Sequence, residues 1–278
     1  MTLDERIKKD LTEVYNEKEL SGAKKLSGLV EVSTFGLPQH FTGNRKAETV
    51  IVMLNPGKDT AKADRQRKEN IDAAKDFDKK DVDSFINSYI KTLKDFGKID
   101  YNRLDNFDLK QAYFLKAWTN SGIALPDELK KSEETMKKAK EAVISQKLQL
   151  ELIPYCSRQF SITNPKIDLI CEYVETLFDE IFAHKREYII FGAGIFERVF
   201  KAYNKIKGKT VIDLNGKKVK TPLKKINGSC RVIKISWNGE ERRAIIAYTF
   251  PSQALPNAPD LMEKYGKFCF EKYMQYTR

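Results

Sequence analysis

The segment Val50-Ile51-Val52-Met53-Leu54-Asn55-Pro56-Gly57 is an apolar run that ends at an amide, a proline and a glycine. An apolar run of this length, bounded by turn residues, is typical of a buried strand. Ala244-Ile245-Ile246-Ala247-Tyr248-Thr249-Phe250-Pro251-Ser252-Gln253 repeats the plan near the other end of the sequence. Ligands bind at the carboxyl ends of the strands in open α/β sheets. The pair therefore predicts a composite site built from both ends of the chain.

The order of elements along the chain predicts an α/β fold around a mainly parallel sheet. A helix with one apolar face fits between the second and third strands, where Asn164 can cap it and Pro165 can occupy its first turn. A second amphipathic helix follows Gly192-Ala193-Gly194, and a last one runs from about residue 259 to 273. Four apolar runs are the predicted parallel strands: about residues 49–54, 148–154, 187–191 and 244–249.

Two stretches interrupt this core, and we interpret the chain as one domain, 1–278, with two insertions. The first, about residues 58–147, is highly charged and mostly helical, and Phe85, Ile86, Tyr89 and Leu93 give it one buried stripe. The second, about residues 205–243, carries two hairpin signals. These are Asn215-Gly216 and Asn238-Gly239, and the second predicts a strand at 231–237 antiparallel to the last strand.

Composition bounds the class of protein and its partners. Of the 278 residues, 41% are hydrophobic and 32% charged, which is typical of a soluble globular chain and not of a disordered or membrane one. The start has acidic residues and no apolar core segment, so we expect a cytoplasmic protein, by default a monomer. The formal net charge of +11 fits a polyanionic partner such as DNA. An ordinary solvated basic surface explains the same number.

Cysteine and histidine usage argues against a metal centre. The four cysteines, at 156, 171, 230 and 269, contain no Cys-x-x-Cys pair, so reduced structural thiols are expected and no metal or other cofactor is predicted. Only two histidines are present. His184 follows a helix, where a role facing the helix dipole or solvent is expected, and His40 is open to a structural or a functional role.

Each predicted strand ends at small or polar residues, and parallel strands place all four turns on the same edge of the sheet. Glycine lets backbone amides approach a ligand closely, and proline fixes the angle at which the chain leaves the strand. Taken alone, Asn55-Pro56-Gly57 is also an ordinary turn. The four turns are Asn55-Pro56-Gly57, Pro154-Tyr155-Cys156-Ser157, Gly192-Ala193-Gly194 and Pro251-Ser252-Gln253.

These motifs resemble the uracil-DNA glycosylase superfamily, closest to its thymine/mismatch-specific branch. That branch has a strand followed by Gly-[Ile/Met]-Asn-Pro-Gly, and this chain has Met53-Leu54-Asn55-Pro56-Gly57. The second family motif is a Pro-Ser turn after the last strand, and this chain has Phe250-Pro251-Ser252. The resemblance covers the core strands and their turns and not the two insertions. It implies a three-layer αβα fold and a monofunctional DNA glycosylase.

The resemblance also implies a role for each motif. Asn55 would hold the water that attacks the sugar, and the backbone at Leu54, Pro56 and Gly57 would meet the base, with Tyr155 and Ser157 beside it. The helix after Gly192 and Gly194 could contact phosphate. The remaining predicted DNA contacts follow the last strand: Phe250, Pro251 and Ser252 beside the phosphate of the extruded nucleotide, and Gln253 and Leu255 in the gap that it leaves.

The chain departs from the family pattern at several positions. Phe250 replaces a frequent histidine, so no cation stands there to stabilise the departing base. Tyr155 could stack on a base or belong to the core, and the stacking aromatic after the first motif could be Phe77 or Phe85. Gly192-Ala193-Gly194 lacks the third glycine of a dinucleotide site, because Glu197 stands in its place.

Three functions remain open from the sequence. The first is a glycosylase, with the 58–147 insertion reshaping its pocket for a bulky modified base, in repair or in defence. The second is a catalytically weak nucleic-acid-binding protein of the same fold. The third is an enzyme for a small molecule or nucleotide that uses the same edge of the sheet.

Overall fold

The computed structural model describes residues 1–27, 32–34, 36–54, 81–94, 106–118, 146–157, 168–249 and 259–276. Helices and strands are interspersed along the described ranges, with four strands in succession before the last helix. The helices are α1 (Leu3–Tyr15), α2 (Ser21–Leu26), α3 (Val82–Lys94), α4 (Asn106–Leu115), α5 (Asp168–Phe182), α6 (Ile195–Lys207) and α7 (Pro259–Gln275), with a short 3₁₀ helix at Lys116–Trp118.

One mixed sheet contains the strands of the described residues, in the order β1-β3-β2-β4-β8-β7-β5, with β6 also paired to β7. The protein is thus α/β, as predicted, but its sheet has more strands than the mainly parallel four-stranded sheet with an added hairpin that the sequence predicted. The strands are β1 (Phe41–Gly43), β2 (Thr49–Met53), β3 (Lys147–Glu151), β4 (Tyr188–Phe191), β5 (Ile212–Asp213), β6 (Val219–Lys220), β7 (Ser229–Trp237) and β8 (Glu240–Ala247).

The chain divides into two compact units. Unit 1 comprises Met1–Thr42, Met53–Lys94 and Gln149–His184, and unit 2 comprises Gly43–Val52, Asp95–Leu148 and Lys185–Arg278. In unit 1, α1 packs against α2, α3 and α5. A reciprocal capping box starts α1: the Glu5 amide donates to Oγ1 of Thr2, and the Thr2 amide donates to the Glu5 carboxylate.

The predicted helical stripes are confirmed wherever the structure describes them. In α3, Phe85, Ile86, Tyr89 and Leu93 are buried, as the sequence of the first insertion indicated. The apolar face of α5 is buried from Ile170 to Ile181. Its predicted cap, Asn164, and Pro165 lie outside the described residues. None of the described helices is both long and apolar enough to cross a bilayer.

Unit 2 is built on three parallel strand segments and one long hairpin. β4 pairs in parallel with β2 and with β8. The predicted hairpin at Asn238-Gly239 is confirmed: β7 and β8 pair antiparallel from Cys230 with Ala247 to Trp237 with Glu240. Asn238 and Gly239 have φ values of 50° and 83°, which is why this pair of residues suits a tight two-residue turn.

The hairpin predicted at Asn215-Gly216 is wrong. β5 and β6 do not pair with each other, because each pairs antiparallel with β7. A Cβ on Gly216 would lie 2.0 Å from the carbonyl oxygen of Val232. The glycine is therefore required where the chain between β5 and β6 passes close to the β7 backbone, and not for a turn that reverses the chain.

Aromatic side chains fill the part of unit 2 where α4, the 3₁₀ helix and α7 meet. The Trp118 ring is fully buried, and the rings of Tyr188, Phe270 and Tyr273 contact it with centroids 5.4–5.7 Å away. Gly266 allows α7 to approach α4 closely, since a Cβ there would lie 2.0 Å from the carbonyl oxygen of Phe114. This packing joins part of the first predicted insertion to the C-terminal helix.

Candidate functional site

The candidate site lies at the carboxyl ends of the parallel strands. In register, Val52 of β2 pairs with Phe191 of β4, which pairs with Ile246 of β8. The three strands therefore finish at the same level and on the same edge of the sheet. In the sequence, Asn55 comes three residues after Val52, and Pro251 comes five residues after Ile246.

Most of the residues predicted to contact DNA lie just beyond the described ranges. Asn55, Pro56 and Gly57 after β2, and Phe250, Pro251, Ser252, Gln253 and Leu255 after β8, are outside them, as are Phe77 and Arg158. Their roles stay predictions. Leu54 is described: it is half-buried, and its carbonyl oxygen accepts a hydrogen bond of 2.9 Å from the amide of Ile153.

The two predicted glycines after β4 are described and connect the sheet to α6. The Gly192 amide donates to the Val52 carbonyl at 2.9 Å, which extends the β2–β4 pairing by one residue. Gly194 is the N-cap of α6 and makes no side-chain cap. A Cβ on Gly194 would lie 2.8 Å from Cδ1 of Tyr248, so the Tyr248 ring packs directly on this turn.

A carboxylate cluster beside this turn was not predicted from the sequence. The Tyr248 hydroxyl donates to the carboxylate of Glu197, in the first turn of α6. Nζ of Lys201 lies 2.6 Å, and Nη1 of Arg231 3.6 Å, from Oε1 of Glu197. In the sequence, Glu197 stands out only because it replaces a glycine. The signal for the cluster is its i, i+4 spacing to Lys201.

The charges of this cluster are partly withdrawn from water. Burial alone would raise the pKa of Glu197, but the hydrogen bonds from Lys201 and Tyr248 and the positive charge of Arg231 outweigh it and lower that pKa. Burial, with the hydrogen bond to Glu197, raises the pKa of Tyr248 well above its usual range. Tyr248 is therefore a neutral hydrogen-bond donor at physiological pH, and Glu197 is a carboxylate.

The structure corrects the prediction that Tyr155 contacts the base. Only 1% of it is exposed, and its hydroxyl donates to Oδ2 of Asp10 at 2.9 Å within unit 1. It is a core tyrosine, the alternative that the sequence left open, because a side chain buried in this way cannot stack on a base. Phe85 is likewise a core residue: it is fully buried, and its ring contacts those of Tyr15 and Tyr89.

Ser157 is about as buried as Tyr155 but differs from it in hydrogen bonding, and its place beside the base stays a prediction. It is 2% exposed, and its Oγ makes no hydrogen bond among the described residues. A buried hydroxyl without a partner costs about 1–3 kcal/mol, so a partner or ligand at this position would stabilise it.

His40, open from the sequence, belongs to a buried polar cluster of unit 1. Its Nε2 lies 3.0 Å from the same Oδ2 of Asp10 that accepts from Tyr155, although the contact does not have the geometry of a directed hydrogen bond. Tyr173 adjoins Tyr155, with 3.5 Å between their hydroxyls, and the Arg6 guanidinium lies 4.1 Å from the centroid of the Tyr173 ring. Burial raises the pKa of Tyr173 to about 12. The members of this cluster are enclosed in unit 1, which fits a structural role.

No group of three or more His, Cys, Asp or Glu side chains converges to hold a metal ion within the described ranges. The chain matches no protein-family model and no curated protein. The arrangement of its own residues therefore carries the functional argument.

Proposed function

We propose that this chain is a monofunctional DNA glycosylase that hydrolyses the N-glycosidic bond of a flipped-out uracil, mismatched or modified base. The observation that supports this most is the register of the three parallel strands, with Val52, Phe191 and Ile246 at one level. Both motifs of the resemblance directly follow strands that end at this level. A site that uses both motifs requires such an arrangement.

The strand order supports the same position. From β2 the chain continues to β3 on one side, and from β4 it continues towards β8 on the other side. The connections thus leave β2 and β4 in opposite directions, and such a switch point is where open α/β sheets form a crevice for ligands. Asn55-Pro56-Gly57 and Gly192-Ala193-Gly194 are the segments that leave these two strands.

The chemistry proposed for Asn55 follows from the transition state. Breaking the bond between base and deoxyribose gives the sugar oxocarbenium character, so the attacking water needs to be positioned more than it needs to be deprotonated. An amide can hold a water without adding negative charge beside DNA phosphates. It forgoes general-base catalysis, which typically contributes about 10²–10⁴-fold.

The other motif residues would bind the substrate. The backbone amide of Gly57 would donate to a base carbonyl, where negative charge accumulates during excision, and Leu54 and Pro56 would lie beside the base. Pro251 and Ser252 would hold the phosphate beside the extruded nucleotide, and Gln253 to Leu255 would occupy its gap. Because Phe250 offers no cation to the departing base, the mismatch-specific type of substrate, or a base that leaves more readily than plain uracil, fits this site.

The test is detection of free bases by mass spectrometry. The purified chain is incubated with duplex and single-stranded DNA that contains uracil, mismatched thymine or modified cytosines. We expect release of at least one of these bases, and at least a 10²-fold loss of the rate in Asn55→Ala, because the water is no longer positioned. Asn16→Ala is the matched control, since Asn16 is an exposed asparagine that ends α1.

The alternative, a nucleic-acid-binding protein without catalysis, is favoured by Phe250 at the position of the frequent histidine. It predicts DNA binding with no base release from any substrate, in the unmodified chain as well as in Asn55→Ala. Release that Asn55→Ala leaves unchanged would contradict the glycosylase mechanism as proposed.

A further inference from the structure

The positive charge of the chain is concentrated in one segment. Residues 197–225 hold ten lysines and arginines against two acids, Glu197 and Asp213, and so carry +8 of the net +11. Eight of the ten cations come after residue 204, and the other two are Arg198 and Lys201. Nine of the ten are lysines. Every lysine in the segment is exposed.

On α6 the cations form a row opposite the buried face. Phe196, Val199, Phe200 and Tyr203 are buried against the sheet. The exposed Arg198, Lys201 and Lys205 follow one another at intervals of three and four residues. This spacing places them on one side of the helix, separated along its axis by about 4.5 and 6 Å.

The segment around β6 adds two lysines on the same side of the sheet. Lys217 and Val219 line a cavity of about 180 Å³ together with Lys272 and Tyr276 at the end of α7. Alternation along an extended chain turns Lys218 and Lys220 to the opposite side. Nζ of Lys218 indeed lies 3.8 Å from the centroid of the Tyr248 ring, which packs on Gly194 at the start of α6.

The row of cations on α6 and the two lysines around β6 belong to one packed arrangement. Oδ1 of Asn204 on α6 accepts from the amides of Val211 and Ile212, and its Nδ2 donates to the Ile212 carbonyl, so α6 is fixed to β5. We call the surface of Arg198, Lys201, Lys205, Lys218 and Lys220 the basic face. Through Lys218 and Tyr248 it reaches the end of β8, two residues before Phe250.

We propose that the basic face binds the phosphate backbone of duplex DNA next to the end of β8, so that it holds the strand there while a nucleotide is extruded. This inference rests on the proposed function. One acid, Glu197, pairs with Lys201 at the margin of this face. The other closely spaced cations suit a phosphate backbone, because each contact releases condensed counterions. Among the described exposed large apolar side chains only Ile206 lies in this segment, which is too few for insertion into a membrane surface.

Lysines along a sheet edge also prevent edge-to-edge aggregation, and this function would explain Lys218 and Lys220 without DNA. It does not explain Arg198, Lys201 and Lys205, which lie on a helix. The two explanations predict different behaviour for variants, and the experiment separates them.

The experiment compares two triple variants with the same change of charge. Arg198→Gln/Lys205→Gln/Lys220→Gln neutralises the basic face, and the described structure gives these three side chains no ion pair. Lys217→Gln/Lys264→Gln/Lys267→Gln is the control: Lys217 faces the cavity side, and the other two are exposed on α7. Binding to a lesion-free 20-base-pair duplex is measured between about 50 and 200 mM salt.

We expect the basic-face variant to bind the duplex more weakly and with a shallower salt dependence. The slope of log K against log salt should fall by about 0.9 for each phosphate that the variant no longer neutralises, and so by up to about 2.7. The control variant should keep the slope of the unmodified chain. An unchanged slope in the basic-face variant, or an equal decrease in both variants, overturns the proposal.

Three further measurements separate this inference from its rivals and from the proposed function. Size-exclusion chromatography detects self-association, and a basic-face variant that aggregates while its DNA slope stays unchanged supports edge protection instead. Binding to phosphatidylserine vesicles but not to the duplex overturns the DNA proposal. Base release at saturating DNA tests the glycosylase: release without a basic-face effect overturns only this inference, and a basic-face effect without release overturns only the proposed chemistry.

Discussion

At the residue scale, Gly22 leaves room for the buried polar cluster of unit 1 because it has no side chain. A Cβ at this position would lie 1.9 Å from the Tyr155 hydroxyl oxygen, which donates to Asp10. We expect Gly22→Ala to lower the free energy of unfolding by about 1–3 kcal/mol, because the tyrosine must move away from a buried carboxylate. Chemical denaturation measures the change.

A double-mutant cycle tests the cause. Tyr155→Phe removes the oxygen that the new methyl group would strike, so Gly22→Ala should cost less in the Tyr155→Phe background than alone. The two costs should differ by at least about 0.5 kcal/mol. Equal costs in both backgrounds would show that the methyl group acts elsewhere.

The sequence could not indicate this cluster, because its polar members look like surface residues. Arg6 and Asp10 lie in a charged N-terminal helix, and charged side chains are almost never fully buried unless paired. Their partners, His40, Tyr155 and Tyr173, come from three separate segments. Local periodicity contains no information on such a meeting, whereas it predicted the buried stripe of α3 directly.

At the element scale, α4 and α7 approach each other at Gly266. Alanine is the better helix former by about 0.8–1 kcal/mol, so propensity alone predicts that Gly266→Ala stabilises the protein. The new Cβ would lie 2.0 Å from the Phe114 carbonyl oxygen, which is backbone and cannot turn aside. We therefore expect a net loss of about 1–3 kcal/mol in thermal or chemical unfolding. Lys267→Ala, at the exposed neighbouring position, should change stability by less than about 0.5 kcal/mol.

The two Asn-Gly pairs show how far the sequence determines the elements. At Asn238-Gly239 the turn and both strands are adjacent in the chain, so the local pattern was sufficient and the hairpin is present. At Asn215-Gly216 the same pair lies in an interrupted edge strand, because β7 offers both β5 and β6 a partner. Competition with a strand that comes later in the chain cannot be recognised from the pair itself. The shared edge of β2, β4 and β8 was predicted because parallel strands obey a general rule.

At the scale of the whole molecule, the net charge of +11 affects the stability of the folded state in acid. As the pH falls and carboxylates are protonated, the positive charge grows and repulsion destabilises the folded state. Salt screens this contribution, because the Debye length at 1 M is about 3 Å. The ion pairs of Glu197 are partly buried and therefore less screened, so their contribution to the free energy of unfolding should persist in high salt. The folded pKa of Glu197 lies below the ordinary value of 4.5.

A lowered pKa in the folded state stabilises the protein above the ordinary pKa, and this stabilisation is lost as the pH falls through the folded value. Glu197→Gln should therefore unfold more easily than the unmodified chain at pH 6–7 in about 1 M salt, where repulsion is screened. The difference should shrink as the pH falls from the ordinary pKa of 4.5 through the lower folded value, because Glu197 is then protonated and no longer differs in charge from glutamine. Glu271 is an exposed glutamate on α7, so the Glu271→Gln variant should show no such pH-dependent difference from the unmodified chain. A Glu197→Gln difference that stays constant from pH 7 to pH 3 would assign the effect to altered packing around Tyr248 and not to charge.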